Sequence, residues 1–237
     1  MEKKEVCALI EKIGIIPSIR SASAEDAHFA AEAVMRGGIP IVEITMTVPG
    51  AINVISHLAK FHPQLLVGAG TVMNAETAKQ CVGAGARFLT SSGFRPAIVE
   101  FAAKEDIAVL PGALTPTEIV TAWEAGGDLV KVFPCSQVGG DGYIKALKTS
   151  LPEIPLVAAG GVNQLTAADF ILSGACAIGV GSELIPPEAL ERRQSQRIQE
   201  LALRFTEFVK QARDKIAAGK KRASRRKSAD IAECEAQ

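Results

Sequence analysis

The chain has no excess of either charge: 26 lysines and arginines balance 26 aspartates and glutamates. No chain-wide field therefore draws it to nucleic acid or to an anionic membrane, and the neutrality fits a small-molecule partner. Histidine is scarce. His28, His57 and His62 all fall on expected helices or a loop, so no set of histidine and carboxylate ligands is at hand and no metal is expected. The five cysteines, Cys7, Cys81, Cys135, Cys176 and Cys234, are odd in number and nowhere spaced as a pair of metal ligands. They are expected as free thiols in a reducing, cytoplasmic setting. No stretch reaches the roughly 18 apolar residues of a membrane span, and the apolar run near the N-terminus is too short for a signal peptide. A GxSxG elbow is missing, as is a GxGxxG fingerprint after the first expected strand, which removes support for serine hydrolysis and for dinucleotide redox chemistry.

What is present is a repeat. The 237 residues, 48% hydrophobic, suit one core of barrel size. From residue 14 to residue 180, short apolar, β-branched runs alternate with longer segments of helical periodicity. The eight runs are Ile15–Ile19, Ile39–Thr45, Leu65–Gly70, Arg87–Thr90, Ala108–Leu110, Leu129–Phe133, Pro155–Ala159 and Ala177–Val180. Continuous apolar runs are what strands buried on both faces require. Ser23, Asn74 and the capping box Thr115 to Glu118 mark helix starts. Gly37-Gly38, Gly83, Gly126-Gly127 and Gly174 are expected to close helices in a left-handed conformation. An open doubly wound sheet shares this alternation, but a strand spacing of about 20 to 25 residues with no long crossover favours closure into an α/β fold of the (β/α)8 TIM-barrel type. An extra N-terminal helix over residues 2–12 is expected to cap the barrel, whose domain spans residues 1–218. A long helical stretch past Pro187 is expected to end near Ala218-Gly219. Residues 219–237 open with a basic run, Lys220 to Lys227, and are expected as a disordered, solvated tail. Weak, salt-sensitive contact of that run with a polyanion is the alternative.

Catalytic groups of a barrel sit at the C-terminal ends of its strands, and two charges lie inside such runs. In Leu129-Val130-Lys131-Val132-Phe133, alternation puts Lys131 and Phe133 on one face and the valines on the other. Lys131 then points into the barrel, where burial disfavours the ammonium and favours a nucleophilic amine. A snorkelling or ion-paired lysine near a strand end is the plain alternative. Glu43, in Ile41-Val42-Glu43-Ile44-Thr45, is interior by the same parity. It can serve as the passive partner of Lys131, as a proton shuttle, or as both. Thr71 ends Gly68-Ala69-Gly70-Thr71, whose small residues would let a ligand reach the backbone. Gly160-Gly161-Val162 and Gly179-Val180-Gly181-Ser182 follow the seventh and eighth runs, where barrels often bind phosphate, and free amides there can cradle an anion. Simple turn geometry is the competing explanation. Arg20, just past the first run, can hold a substrate carboxylate or stand as a rim charge. Cys135 lies past the sixth run with no histidine placed to activate it, and is read as a bystander.

Together these residues resemble the bacterial aldolases that act on 2-keto-3-deoxy-6-phosphogluconate (KDPG) and on 4-hydroxy-2-oxoglutarate (KHG). The resemblance runs from about Ile13 to Glu207 and rests on Val42-Glu43-Ile44-Thr45, Gly68 to Val72, Leu110-Pro111-Gly112, Val130-Lys131-Val132-Phe133-Pro134, Gly160-Gly161-Val162 and Gly179 to Ser182. It implies a class I lyase of carbohydrate metabolism, of the Entner-Doudoroff type, that cleaves KDPG to pyruvate and glyceraldehyde 3-phosphate. KHG and the phosphogalactonate epimer are alternative substrates. It also implies a Schiff base on Lys131, acid/base work by Glu43, and carboxylate binding by Thr71. The substrate-binding set is then Arg20, Thr71, Phe133, Ala159, Gly160, Gly161, Gly181 and Ser182. A homotrimer without a cofactor is implied as well. Two positions depart from the family: Thr47 stands where some members carry an arginine, and Ala159 stands where a threonine or valine is usual. A non-catalytic barrel serving as a binding module is the reading from another class, opposed by the two interior charges, which bring little net stability.

Overall fold

The computed structural model describes residues 1–235, with side chains to residue 219 and at Lys221. Nine parallel strands form one sheet: β1 (Ile15–Ile19), β2 (Ile41–Thr45), β3 (Leu66–Gly70), β4 (Phe88–Thr90), β5 (Ala108–Leu110), β6 (Gly112–Ala113), β7 (Val130–Val132), β8 (Leu156–Ala159) and β9 (Ala177–Val180). Their order is β5-β4-β3-β2-β1-β9-β8-β7-β6, so its two ends, β5 and β6, are separated in sequence only by Pro111. They are halves of one strand. Proline has no N–H for a ladder bond. At Pro111 the strand changes partners, Leu110 aligning with Thr90 of β4 and Gly112 with Lys131 of β7. The Lys131 N–H donates to the Pro111 carbonyl at 2.9 Å, and the sheet closes into the expected α/β barrel. The expected eight runs thus appear as eight barrel strands, the fifth extended past its proline.

Helices α1 (Lys3–Ile13), α2 (Ala24–Arg36), α3 (Ala51–Phe61), α4 (Ala75–Gly83), α5 (Pro96–Lys104), α6 (Pro116–Glu124), α7 (Gly140–Ser150), α8 (Ala167–Leu172), α9 (Pro187–Glu191) and α10 (Ser195–Glu235) complete the fold. The caps read from sequence form. The Ser23, Asn74 and Thr115 side chains each accept from a first-turn N–H, Thr115 in a reciprocal box with Glu118. After α4 the left-handed residue is Gly85, two positions beyond the expected Gly83. The extra helix α1 packs Val6 and Ile10 into the core and ties Lys3 to Asp128 at 3.1 Å, just before β7 begins. It therefore covers the end of the barrel where strands start. That leaves the strands' C-terminal ends for chemistry.

The C-terminal expectation needs correcting. The stretch past Pro187 is two helices, separated by Arg193 in a left-handed conformation (φ 50°). The second does not stop near Gly219, as expected, but continues as backbone helix to Glu235. The like charges argued for disorder. The segment also lacks proline and is rich in alanine, lysine, arginine and glutamate, all strong helix formers, and one glycine costs only about 1 kcal/mol. The side chains of the basic run from Arg222 to Lys227, with any polyanion contact they make, lie outside the described residues, as does the Cys234 thiol.

Candidate active site

The interior of the barrel is apolar except at one layer. There β2 presents Glu43 and β7 presents Lys131, 1% and 5% exposed, as strand parity requires. Opposite the carboxylate, β3 offers Gly70. A Cβ at that position would fall inside the Glu43 carboxylate, and one at Gly68 inside the Phe88 ring. The small residues of β3 therefore make room for neighbouring side chains, not for a ligand against the backbone as the sequence suggested.

Lys131 Nζ lies 3.6 Å from Glu43 Oε2 and donates to Thr90 Oγ1 at 3.3 Å. Thr90 donates to the same Oε2 at 2.7 Å, and Ser18 Oγ donates to Oε1 at 3.1 Å. Both carboxylate oxygens are thus held by hydroxyls. The Phe133 ring centroid lies 5.8 Å from Nζ, within reach of a cation–π contact. An ion pair this deeply buried adds little net stability over apolar residues of the same volume, so its presence calls for a chemical reason.

Above the pair lies a cavity of about 340 Å³, floored by Lys131, Phe133 and Ser18. Its wall is Ala159, Gly160 and Gly161 after β8, with Gly181 and Ser182 after β9, and Arg20 stands exposed at its mouth. Eight of the ten expected site residues therefore meet: Lys131, Arg20, Phe133, Ala159, Gly160, Gly161, Gly181 and Ser182. Glu43 joins them from below through its contact with Lys131. Thr71 is not part of the cavity lining. It sits past β3 with φ 56°, a costly conformation for a β-branched residue, beside Val72, whose N–H donates to the Thr90 carbonyl at 3.0 Å.

Gly161 has a local reason to be glycine. Its φ is 82° and a Cβ would collide with Ser136 Oγ, while the Ser136 N–H donates to the Gly160 carbonyl at 3.1 Å. The turn geometry by itself accounts for a glycine there. Thr47, at the position noted for arginine, is bound to Thr45 Oγ1 at 2.6 Å, and Thr45 in turn donates to the Ile19 carbonyl at 3.0 Å. Cys135 is buried, and burial pushes its thiol up to about 11, which keeps it protonated and unreactive at neutral pH. His28 and His57 meet edge to face, with ring centroids 4.5 Å apart, on the outer helices α2 and α3.

Sequence reasoning missed Thr90, Ser18 and Glu183. Each of the first two is the only polar residue of its strand, β4 or β1, and on β4 Thr90 shares the parity of Phe88, which was the available signal. Glu183, next to Ser182, lines both this cavity and a larger open crevice of about 660 Å³ that also takes Arg197 and Arg204 from α10. That crevice lies outside the barrel mouth and does not include Lys131.

The model of the KDPG and KHG aldolase family matches residues 6–201. The KHG/KDPG aldolase of Escherichia coli (strain K12) is 30% identical over 197 residues, 83% of this chain and 92% of the relative. The 2-dehydro-3-deoxy-6-phosphogalactonate aldolase of the same organism is 31% identical over 207 residues, 86% and 97% of the two chains. Among solved structures, the KDPG aldolase of Legionella pneumophila, with pyruvate captured at low pH as a covalent carbinolamine intermediate, superposes with a TM-score of 0.78 at 31% identity. It covers 83% of this chain and 96% of that one. With a family match over nearly the whole barrel and a buried lysine and glutamate meeting beneath its mouth, this chain belongs to the KDPG and KHG aldolase family.

Proposed function

We propose that the protein cleaves KDPG to pyruvate and glyceraldehyde 3-phosphate through a Schiff base on Lys131. The observation that carries this reading is a lysine on the inner barrel face, 5% exposed, that opens on a cavity and has a buried carboxylate 3.6 Å from its amine. Lys131 attacks the C2 ketone. Glu43 moves protons as the carbinolamine loses water, and the resulting iminium accepts the electron pair when the C3–C4 bond breaks. Proton loss from the C4 hydroxyl to Glu43 releases the aldehyde. The enamine left on Lys131 is then protonated and hydrolysed to pyruvate. The carbinolamine captured in the Legionella pneumophila relative supports this sequence of steps.

In this reading Gly160, Gly161, Gly181 and Ser182 receive the phosphate, Arg20 and Thr71 the carboxylate, and Phe133 and Ala159 pack on the carbon chain. Ala159 has no hydroxyl, so the phosphogalactonate epimer is a second reading within the same chemistry, and KHG a third. A cytoplasmic homotrimer that needs no cofactor belongs to the same proposal; light scattering tests the assembly. The deciding experiment is reduction with borohydride in the presence of pyruvate, followed by peptide mapping. A reduced adduct on Lys131 is expected, and Lys131→Arg should neither trap nor cleave, because guanidinium forms no imine. A label on another lysine, or activity in Lys131→Arg, overturns the reading.

A further inference from the structure

Thr90 ends β4 with a hydroxyl that is 1% exposed. A hydroxyl is tolerated so deep only where its hydrogen and a lone pair both find partners, and here both do. Oγ1 donates to Glu43 Oε2 at 2.7 Å and accepts from Lys131 Nζ at 3.3 Å. The direct distance from Nζ to Oε2 is 3.6 Å, too long for a hydrogen bond, whereas the 3.3 Å to Thr90 Oγ1 is a long one. Lysine and glutamate therefore connect through the threonine rather than with each other. Ser18 holds the other carboxylate oxygen at 3.1 Å, which keeps Oε2 turned towards Thr90.

We propose that Thr90 is the positioning residue that relays the Lys131 proton to Glu43 and so readies the lysine for attack. A proton moves from Nζ to Thr90 Oγ1 while the hydroxyl proton of Thr90 moves to Glu43 Oε2. The ammonium becomes an amine with a free lone pair, the carboxylate becomes a carboxylic acid, and Thr90 ends with one proton, as it began. No water is required. Among the strands around Lys131, β1, β3 to β6, β8 and β9 carry no charged residue. Glu43 on β2 is the one charge at its level, with Arg20 and Glu183 higher at the cavity mouth. The protonation of this pair is therefore governed from within the relay.

The inference rests on the Schiff-base reading and deepens it. Valine copies the shape of threonine without the hydroxyl, and serine keeps the hydroxyl without the methyl. Trapping of pyruvate on Lys131 by borohydride is followed against pH for the parent, Thr90→Val and Thr90→Ser. Thr90→Val should trap about a hundredfold more slowly, with the acid limb of its profile moved to higher pH, because the lysine then loses its proton only to solvent. Thr90→Ser should stay within a few-fold of the parent with an unmoved limb. The parent rate should curve with deuterium content, as two protons in flight require. If Thr90→Val traps at the parent rate with an unmoved limb, the relay is wrong while the Schiff base stands. If the parent itself leaves no adduct on Lys131, the Schiff-base reading falls, and the relay with it. Should Thr90→Val fail to fold by circular dichroism, the decision passes to Thr90→Ser and the isotope curve. A linear, single-proton dependence in the parent overturns the relay.

Discussion

Removing Lys131 should destabilise the fold, and removing its partner as well should restore it. In Lys131→Met the carboxylate of Glu43 keeps the Ser18 and Thr90 hydroxyls but loses its counter-charge. Side-chain exposures of 7% and 2% leave little solvent to screen what remains. Breaking a buried pair from one side costs about 3–5 kcal/mol. The lower end applies, since at 3.6 Å the two charges do not share a direct hydrogen bond. About 3 kcal/mol corresponds to a fall in melting temperature of roughly 6–12 °C for a domain of this size. The double change Lys131→Met, Glu43→Gln removes both charges and keeps a side chain that accepts from one of the Ser18 and Thr90 hydroxyls and donates its amide N–H to the other. Replacing the pair in this way should return stability to within about 1 kcal/mol of the parent, or above it. Urea unfolding of the four proteins in the cycle gives the coupling directly. None of the three variants should release pyruvate. If Lys131→Met loses less than about 1 kcal/mol, or the double variant is as unstable as the single one, the carboxylate is not left uncompensated and the energetic account of the pair is refuted.

Three further outcomes follow from the geometry. Ala159→Thr should shift the ratio of specificity constants for the two phosphorylated C4 epimers by about five- to thirty-fold, the worth of one transition-state hydrogen bond of roughly 1–2 kcal/mol. Ala159 lines the cavity beside Gly179, and an unchanged ratio would place selection elsewhere. Iodoacetamide at neutral pH should leave activity intact, because the Cys135 thiol, raised to about 11 by burial, stays protonated until the pH approaches that value. Inactivation that tracks labelling of Cys135 would contradict this. Truncation after Gly219 should leave kcat and melting temperature unchanged, since among the described side chains of α10 the last core residue is Ala212, with Ile216 half-buried beyond it; a drop in either would mean that the last turns of the helix pack against something.

The barrel was legible because its strands are buried on both faces and so read as uninterrupted apolar runs, with capped helices between them. Lys131 and Glu43 stood out for the same reason, as charges where none belong. Thr90 and Ser18 did not, because a single hydroxyl in a three- or five-residue strand is compatible with either face until the partner is known. The role of the β3 glycines was misread because the sequence does not say that Glu43 and Phe88 lean across them. Thr71 was chosen by its motif, and its left-handed backbone, set by the turn between β3 and α4, has no local signature. The C-terminal helix was legible as far as Gly219, but its continuation was not, because charge patterning and helix propensity point in opposite directions over residues 219–235.

The order of the strands also sets the order in which the barrel can be assembled. Every neighbouring pair joins consecutive segments of chain except one, β1 with β9, where Ile15 aligns with Ile178 and Pro17 with Val180. Contacts so far apart in sequence carry the largest loop-closure cost and form late. Until β9 is made, β1 is an open edge with unpaired amides, the kind of surface on which nascent chains aggregate. Helix α10 packs against both α2, which follows β1, and α8, which precedes β9. It is the clasp over this seam, with Ala202 seated on α2 where a Cβ at Gly37 would strike it. A chain cut short before α10 would hold all nine strands and still lack the element that keeps the ring shut, so the helix made after the last strand is the one that commits the fold.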